Sequence, residues 1–292
     1  MNYLSFLATL DQWVNANPDI SAAAMVGSYV RGLRPTEPDI DIALISQEPT
    51  VYIETHTWLQ ALFSSASNVD VSATHNLVSV RFQLDDLQVE LNFGDIGWAR
   101  FPASASTASV VSAGLTILTD PQGLLSDLQQ AVGDNQVIRV RNAEITDAPT
   151  LADIFYRSVH AISDTLYSPE QKKAWAPEPN DDTKYRWQQR IVDQKPFVAV
   201  LGDQIAGFVT LEPSGLIDLL FVDPACQQKG VARELYEQVL AEANAFGLTQ
   251  LSVDASDAAR PFFEARGFEA KARQTIERRG VTLNNTHMKI DL

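Results

Sequence analysis

The stretch IDLLFVDPACQQKGVARELYEQVLAEA, residues 217–243, decides how the second half of this chain folds. An apolar run of strand length, 217–222, ends at Asp223-Pro224. A polar turn, QQKG, follows, and then apolar positions spaced three and four apart mark a helix over roughly 229–246. A glycine at a strand-to-helix junction lets backbone N–H groups converge, and the helix dipole adds partial positive charge. Lys229 adds a full one. The combination suits an anion such as a pyrophosphate. A plain strand–turn–helix junction is the simpler reading of the same residues.

Working outward, VIRVRNAEITDAPTLADIFYRSVHAI reads as a strand, a loop and a helix capped by Thr146 or Asp147. Residues 197–224 read as three strands joined by glycine-containing turns. A strand at 248–255, a short helix at 258–267 and two closing strands complete this half. Upstream, the pattern differs: helix 3–16, strand 22–27, a helix-like stretch 28–33, strand 40–46, a helix over roughly 51–66, a hairpin 78–84/87–93, strand 111–120 and helix 123–132. GDNQ, 133–136, is the linker candidate. The expectation is therefore an α/β (α+β) protein of two unlike domains, 1–133 and 137–292, with 292 residues being ample for two cores.

Composition narrows the function classes. Net charge is −15, divided as −10 over residues 1–132 and −5 over the rest. A duplex-binding protein needs a basic face, so no nucleic-acid partner is expected. Acidity of this kind suits solubility or a cationic small substrate. No apolar run reaches spanning length and the N-terminus carries no basic head, which predicts no membrane association and a cytoplasmic location. One cysteine, Cys226, excludes an internal disulfide and a cysteine zinc cluster.

The first half carries its own chemical question in GSYVRGLRPTEPDID, residues 27–41. Residues i and i+2 of a strand share a face, so Asp39 and Asp41 set two carboxylates side by side while Ile40 and Ile42 enter the core. Adjacent carboxylates repel unless a cation sits between them, and Mg²⁺ prefers oxygen ligands. Glu90, mid-strand in LQVELNF, is available as a third. Three such groups suit in-line attack at phosphorus. Gly27 and Ser28 open a helix whose N–H groups and hydroxyl suit triphosphate oxygens, and Arg31 lies one turn on. Capping of a turn after Pro38 is the bland alternative for the two aspartates.

VGSYVRG, PDIDIAL and VELNFG, with the later GLTILTDPQGLL, resemble the nucleotidyltransferase superfamily that includes aminoglycoside adenylyltransferases. The resemblance covers residues 20–132. It implies Mg²⁺-dependent transfer of a nucleoside monophosphate, with ATP the expected donor, to an acceptor hydroxyl. On it, Asp39 and Asp41 are metal ligands, Gly27, Ser28 and Arg31 bind the nucleotide, and Glu90 is a third ligand or the general base. This half lacks the helical substrate domain that many such transferases carry.

Gln227-x-x-Gly230-x-Ala232, followed about 35 residues later by FFEARGF, resembles the GNAT acetyltransferases over roughly residues 137–292. The resemblance implies a central mixed, mostly antiparallel sheet flanked by helices, and acetyl-CoA as cofactor. Gln227, Gln228, Lys229, Gly230, Val231 and Ala232 would form its pyrophosphate loop, and the Phe221 and Val222 backbone would pair with pantetheine. Acetyl transfer needs a base and often an acid. Asp218, interrupting an apolar strand on one face with Leu216 and Leu220, is the base candidate, and equally a hydrogen-bonded strand residue. The tyrosine many members use as acid is replaced by Phe263. Tyr167 is the alternative acid, although aromatic packing explains it as well. His160, Trp175 and Trp187 read as packed residues and Cys226 as a small filler.

Together these imply a bifunctional enzyme acting on a small-molecule amine or hydroxyl acceptor. Both chemistries occur on aminoglycosides, which makes such polycations the expected substrates. A nucleotide-sensing or inactive first half that regulates the acetyltransferase, or an antitoxin-like transferase acting on a protein, are the competing readings.

Overall fold

A computed structural model describes residues 2–27, 30, 39–54, 57–74 and 77–292. The chain divides into two compact units, Met1–Val137 and Ile138–Leu292.

In the N-terminal unit, helix α1 (Tyr3–Ala16) precedes strands β1 (Ile20–Val26) and β2 (Asp39–Ser46). Short helices α2 (Val51–Glu54) and α3 (Thr57–Leu62) follow, then β3 (Ala66–Thr74), β4 (Leu77–Leu84) and β5 (Leu87–Gly94). A two-residue β6 (Ala103–Ser104), α4 (Ala105–Ala113), β7 (Thr116–Thr119) and α5 (Leu124–Gly133) complete it. The six-stranded sheet runs β3-β4-β5-β2-β1-β7. Only the β2–β5 pair is parallel. One sheet face, with Ile40, Ile42, Leu44, Val89, Leu91 and Phe93, packs on Phe6, Leu10 and Val14 of α1. On the other face Ala22, Ala24, Ala43 and Ile45 pack with Leu125 and Leu128 of α5. Of the expected helix 51–66, Val51–Glu54 and Thr57–Leu62 are helical, and β3 follows where no element was expected. Residues 111–113 of the expected strand 111–120 are instead the end of α4, which begins where Ser104 accepts the Thr107 N–H despite a serine- and threonine-rich sequence.

In the C-terminal unit, β8 (Val137–Asn142) leads to α6 (Ala148–His160), α7 (Pro169–Trp175) and α8 (Asp181–Gln194). Strands β9 (Phe197–Leu201), β10 (Gln204–Thr210), β11 (Leu216–Ile217) and β12 (Leu219–Val222) precede α9 (Val231–Ala245). Then come β13 (Gln250–Ser256), α10 (Arg260–Glu264), β14 (Glu269–Arg278) and β15 (Val281–Asp291). Strands β8, β9, β10 and β12 pair antiparallel in that order. A second sheet runs β11-β13-β15-β14. Helices α6 and α8 supply Leu151, Ile154, Trp187 and Ile191 to a core with Val198 and Phe208. Val231, Leu235 and Val239 of α9 join a second core with Leu251 and Met288.

The segment 216–222 does not form the single strand its apolar run suggests. Leu216 and Ile217 pair parallel with Ser252 and Val253, whereas Leu219–Val222 pair antiparallel with β10. The break falls on Asp218. Below it the segment belongs to one sheet and above it to the other.

Candidate functional site

The break creates an edge. Strand β12 pairs with β10 on one side, and β13 is committed to β11 and β15. In an antiparallel ladder, alternate residues turn their N–H and C=O toward the partner strand. The Asp223 N–H donates to the Ala206 carbonyl at 2.8 Å, which sets the phase. Phe221 and Leu219 therefore face β10, and Leu220 and Val222 face the open edge. A Cβ added to Gly207 would lie 2.7 Å from the Phe221 carbonyl oxygen, consistent with that phase. The Val222 carbonyl accepts from the Ser158 hydroxyl at 2.8 Å. Of the two residues expected to pair with pantetheine, Phe221 therefore turns its backbone groups toward β10 and Val222 turns toward the open edge.

Beyond β12, Asp223 accepts the Ala225 N–H and pairs with Arg157 at 2.5 Å, tying down the turn. Gln228 and Gly230 hold left-handed backbone, φ +60 and +82. Glycine at the second position carries no Cβ penalty for that geometry. Gly230 caps α9, and no side chain caps its first turn. The leading N–H groups of this helix lack the usual intrahelical partners. Gln227, Gln228 and Lys229 are exposed, Val231 is buried in the core, and Ala232 lies between the two. Burial pushes the Glu234 carboxyl up from its usual range, and the neighbouring Arg233 opposes that shift. Cys226 is buried, its sulfur accepts from Gln204 at 3.3 Å, and burial pushes its thiol up. It is a packed residue, not an exposed nucleophile.

Asp218 opens onto a cavity of about 800 Å³. Phe155, Tyr167, Trp175, Trp187, Phe221 and Phe263 supply its aromatic lining. Rings pack in sequence: Phe155 on Phe221 at 5.0 Å and Tyr167 on Trp175 at 5.4 Å between centroids. Asp218 is exposed and accepts from Gln194 Nε2 at 3.0 Å. The expectation that it sits within an apolar strand face is overturned by the sheet break. Tyr167 is 2% exposed; its hydroxyl donates to the Asn284 carbonyl at 2.7 Å and accepts the Asp257 N–H at 3.0 Å. Burial pushes that hydroxyl's pKa up. Its proton is already held, so Tyr167 serves as a clasp between β15 and the turn after β13. His160 Nε2 donates to the Ala176 carbonyl oxygen, 2.9 Å away, and its ring lies tilted against Tyr156. Trp175 and Trp187 line the cavity as well as pack.

Charged groups at the cavity were not legible in the sequence. Arg186, Arg190, Arg278 and Arg279 line it, opposed by Glu178, Asp218 and Asp254. Lys172, 6% exposed, donates to the Ile162 carbonyl and pairs with Asp164, fixing the loop that leads to Tyr167.

In the N-terminal unit the parallel register sets Asp41 beside Glu90 and Asp39 beside Gln88. A Cβ on Gly27, φ +79, would overlap the Asp41 carboxylate. Ser28 and Arg31 lie outside the described residues. Glu90, however, accepts from Arg81 at 2.8 Å, its cross-strand partner on β4. Among the described residues no three acidic, histidine or cysteine side chains gather to hold a metal ion. Asp39, Asp41 and Glu90, the three carboxylates expected to hold Mg²⁺, do not form such a cluster here, and Glu90 pairs with Arg81. No described helix is long and apolar enough to cross a membrane.

Comparison with known proteins gives the site its context. Residues 164–292 match the family described as "Acetyltransferase (GNAT) domain". The chain is 34% identical over 152 residues to an uncharacterized N-acetyltransferase, YafP, of Escherichia coli (strain K12), covering 52% of this chain and 95% of that protein. It also resembles a solved GCN5-related N-acetyltransferase from Rhodopseudomonas palustris. That match has 34% identity and a TM-score of 0.50, and covers 53% of this chain and 95% of the other. With 34% identity over 95% of the Escherichia coli N-acetyltransferase, the chain belongs, through its C-terminal half, to the GNAT family of N-acetyltransferases.

Proposed function

We propose that the C-terminal unit transfers the acetyl group of acetyl-CoA to an amine bound in the cavity beside Asp218. The observation that carries this reading is the continuity of three features: the uncapped start of α9, the outward edge of β12 at Leu220 and Val222, and the cavity where the strand breaks. Backbone N–H groups of 228–232 hold the pyrophosphate, with Gln227 and Lys229 beside it. The β12 edge pairs with pantetheine as an added strand. Asp218 takes the amine proton, directly or through water, as the amine nitrogen bonds to the acetyl carbon. The C–S bond breaks and the thiolate leaves. Phe263 offers no proton and Tyr167 holds its own against Asn284, so solvent protonates the thiolate.

The test is thermal melting with acetyl-CoA beside thiol-release kinetics. A ligand at about 100 times its Kd should stabilise its unit by roughly 2.7 kcal/mol. Gly230→Glu should lose that shift. Asp218→Asn should keep it and turn over more slowly. No shift for the parent protein would overturn the assignment.

A second reading concerns the N-terminal unit, where we infer nucleotidyl transfer to a hydroxyl. It is favoured by the Asp41–Glu90 adjacency and the glycine set against Asp41. Melting with Mg–ATP, compared with Asp39→Ala/Asp41→Ala, decides it. Equal melting with and without Mg–ATP retires it.

A further inference from the structure

Resting on the acetyl-transfer reading above, we propose that the acceptor is an amine carrying an anionic group, carboxylate or phosphate, on an aromatic or apolar body. The polar groups of the cavity are bipolar. On the acceptor side, the Asn285 Oδ1 atom is buried at the cavity without a hydrogen-bond partner. A buried carbonyl oxygen in that state is costly unless a ligand N–H meets it. Asp218 and Asp254 line the same cavity with further acceptor oxygens, the Asp218 carboxylate holding Gln194 as partner and the Asp254 carboxylate holding His287. These suit an ammonium or amine.

On the donor side stand the guanidinium groups. Arg186 is neutralised by Asp182, one turn away on α8. Arg279 donates to the Ala174 carbonyl. Arg278, exposed at the end of β14, has no carboxylate partner among the described residues, and Arg190 contacts the Trp187 ring at 5.2 Å rather than an acid. Arg190 lies over the Trp187 indole, and Arg forks recognise carboxylate and phosphate oxygens well. These groups stand out in a chain of net charge −15. A polycationic aminoglycoside, the substrate that the resemblances imply, would place its ammonium groups against these guanidiniums. The aromatic lining and a volume of about 800 Å³ suit a body of one ring system or a little more.

The experiment compares matched pairs on the full chain: L-tryptophan against tryptamine, and tyramine O-phosphate against tyramine, with kanamycin as the polycation. Turnover with acetyl-CoA and calorimetric binding to the CoA-loaded protein are both read. At least one anionic member should exceed its partner by about tenfold in kcat/KM, and the responding pair separates carboxylate from phosphate. Arg278→Ala, alone and with Arg190→Ala, should remove that advantage while the acetyl-CoA melting shift stays, showing that the fold is intact. Arg278→Lys should restore part of it. Equal or better use of the uncharged-tail amines, preference for kanamycin, or no binding of either anionic probe while the acetyl-CoA shift persists overturns the proposal. A missing acetyl-CoA shift overturns the transfer reading itself, and this one with it.

Discussion

The two sheets treat strand-borne charge in opposite ways. In the N-terminal unit the ladder is continuous, and Asp70, Arg81, Glu90 and Asp41 follow one another across β3, β4, β5 and β2. The arginine lies between carboxylates, and its pKa is raised first by the hydrogen bond to Glu90 and then by that group's charge. In the C-terminal unit the ladder breaks at Asp218, and among the described residues no strand covers the outer edge of β12. A continuous ladder satisfies its charges internally. An interrupted one leaves backbone donors and a carboxylate for something else to use.

The strongest way to test that contrast is to empty each core in turn. Phe93 and Phe208 are both fully buried, the first stacked on Tyr52 at 4.0 Å and the second edge-on to Trp187 at 5.2 Å. Either phenylalanine to alanine should cost about 3–5 kcal/mol in its own unit. Phe208→Ala should abolish the acetyl-CoA shift and Phe93→Ala should not; loss in both, seen by melting and ligand titration, would break the comparison.

Next in size is Gly207→Val. Its Cβ would meet the Phe221 carbonyl at 2.7 Å and the Val222 Cα at 3.2 Å. Overpacking of this kind costs about 1–3 kcal/mol. Because the strain displaces β12, acetyl-CoA affinity should fall with stability. A variant that melts lower yet binds as the parent would detach the open edge from cofactor binding.

Acid should act on the C-terminal unit through two carboxyls. The Arg273 hydrogen bond holds Asp257 below its usual range. For Asp147, burial pushes upward, but Arg141 and the Glu144 N–H together bring it below that range. A depressed folded pKa means stability that is present above the unfolded value, about 3.9, and lost as pH falls through the folded one. Melting temperatures should therefore drop below about pH 4, and Asp257→Asn or Asp147→Asn should flatten that drop. The arginine partners are 47% and 40% exposed at their side chains, so added salt should weaken both effects. A drop that neither variant changes would sink this account.

The smallest effect belongs to Arg81→Ala. The arginine side chain is 57% exposed, so stability should change by less than about 1 kcal/mol. Removing it leaves Glu90 beside Asp41 without its cation, and calorimetry should show tighter Mg²⁺ binding than in the parent. Unchanged Mg²⁺ affinity would show that the arginine is not what keeps the three carboxylates from acting together.

Sequence alone determined what depends on local pattern. Period-two alternation placed Asp39 and Asp41 on one sheet face and marked the hairpin 78–84/87–93, and the glycine turn at 227–232 marked the helix start that the structure leaves uncapped. Residues 66–74 and 105–113 escaped that reading: β3 is rich in serine, threonine and asparagine, and α4 owes its start to a serine cap. The tertiary structure alone decided the site. Whether 216–222 is one strand or two depends on Ser252 and Val253, more than thirty residues away, competing with β10 for the same backbone. Arg190 and Arg278 meet at one cavity only because a helix and a hairpin fold against the same sheets, and Arg81 reaches Glu90 only across a ladder. Alternation tells each side chain which face it takes, but the partner on that face is chosen by strands distant in the chain.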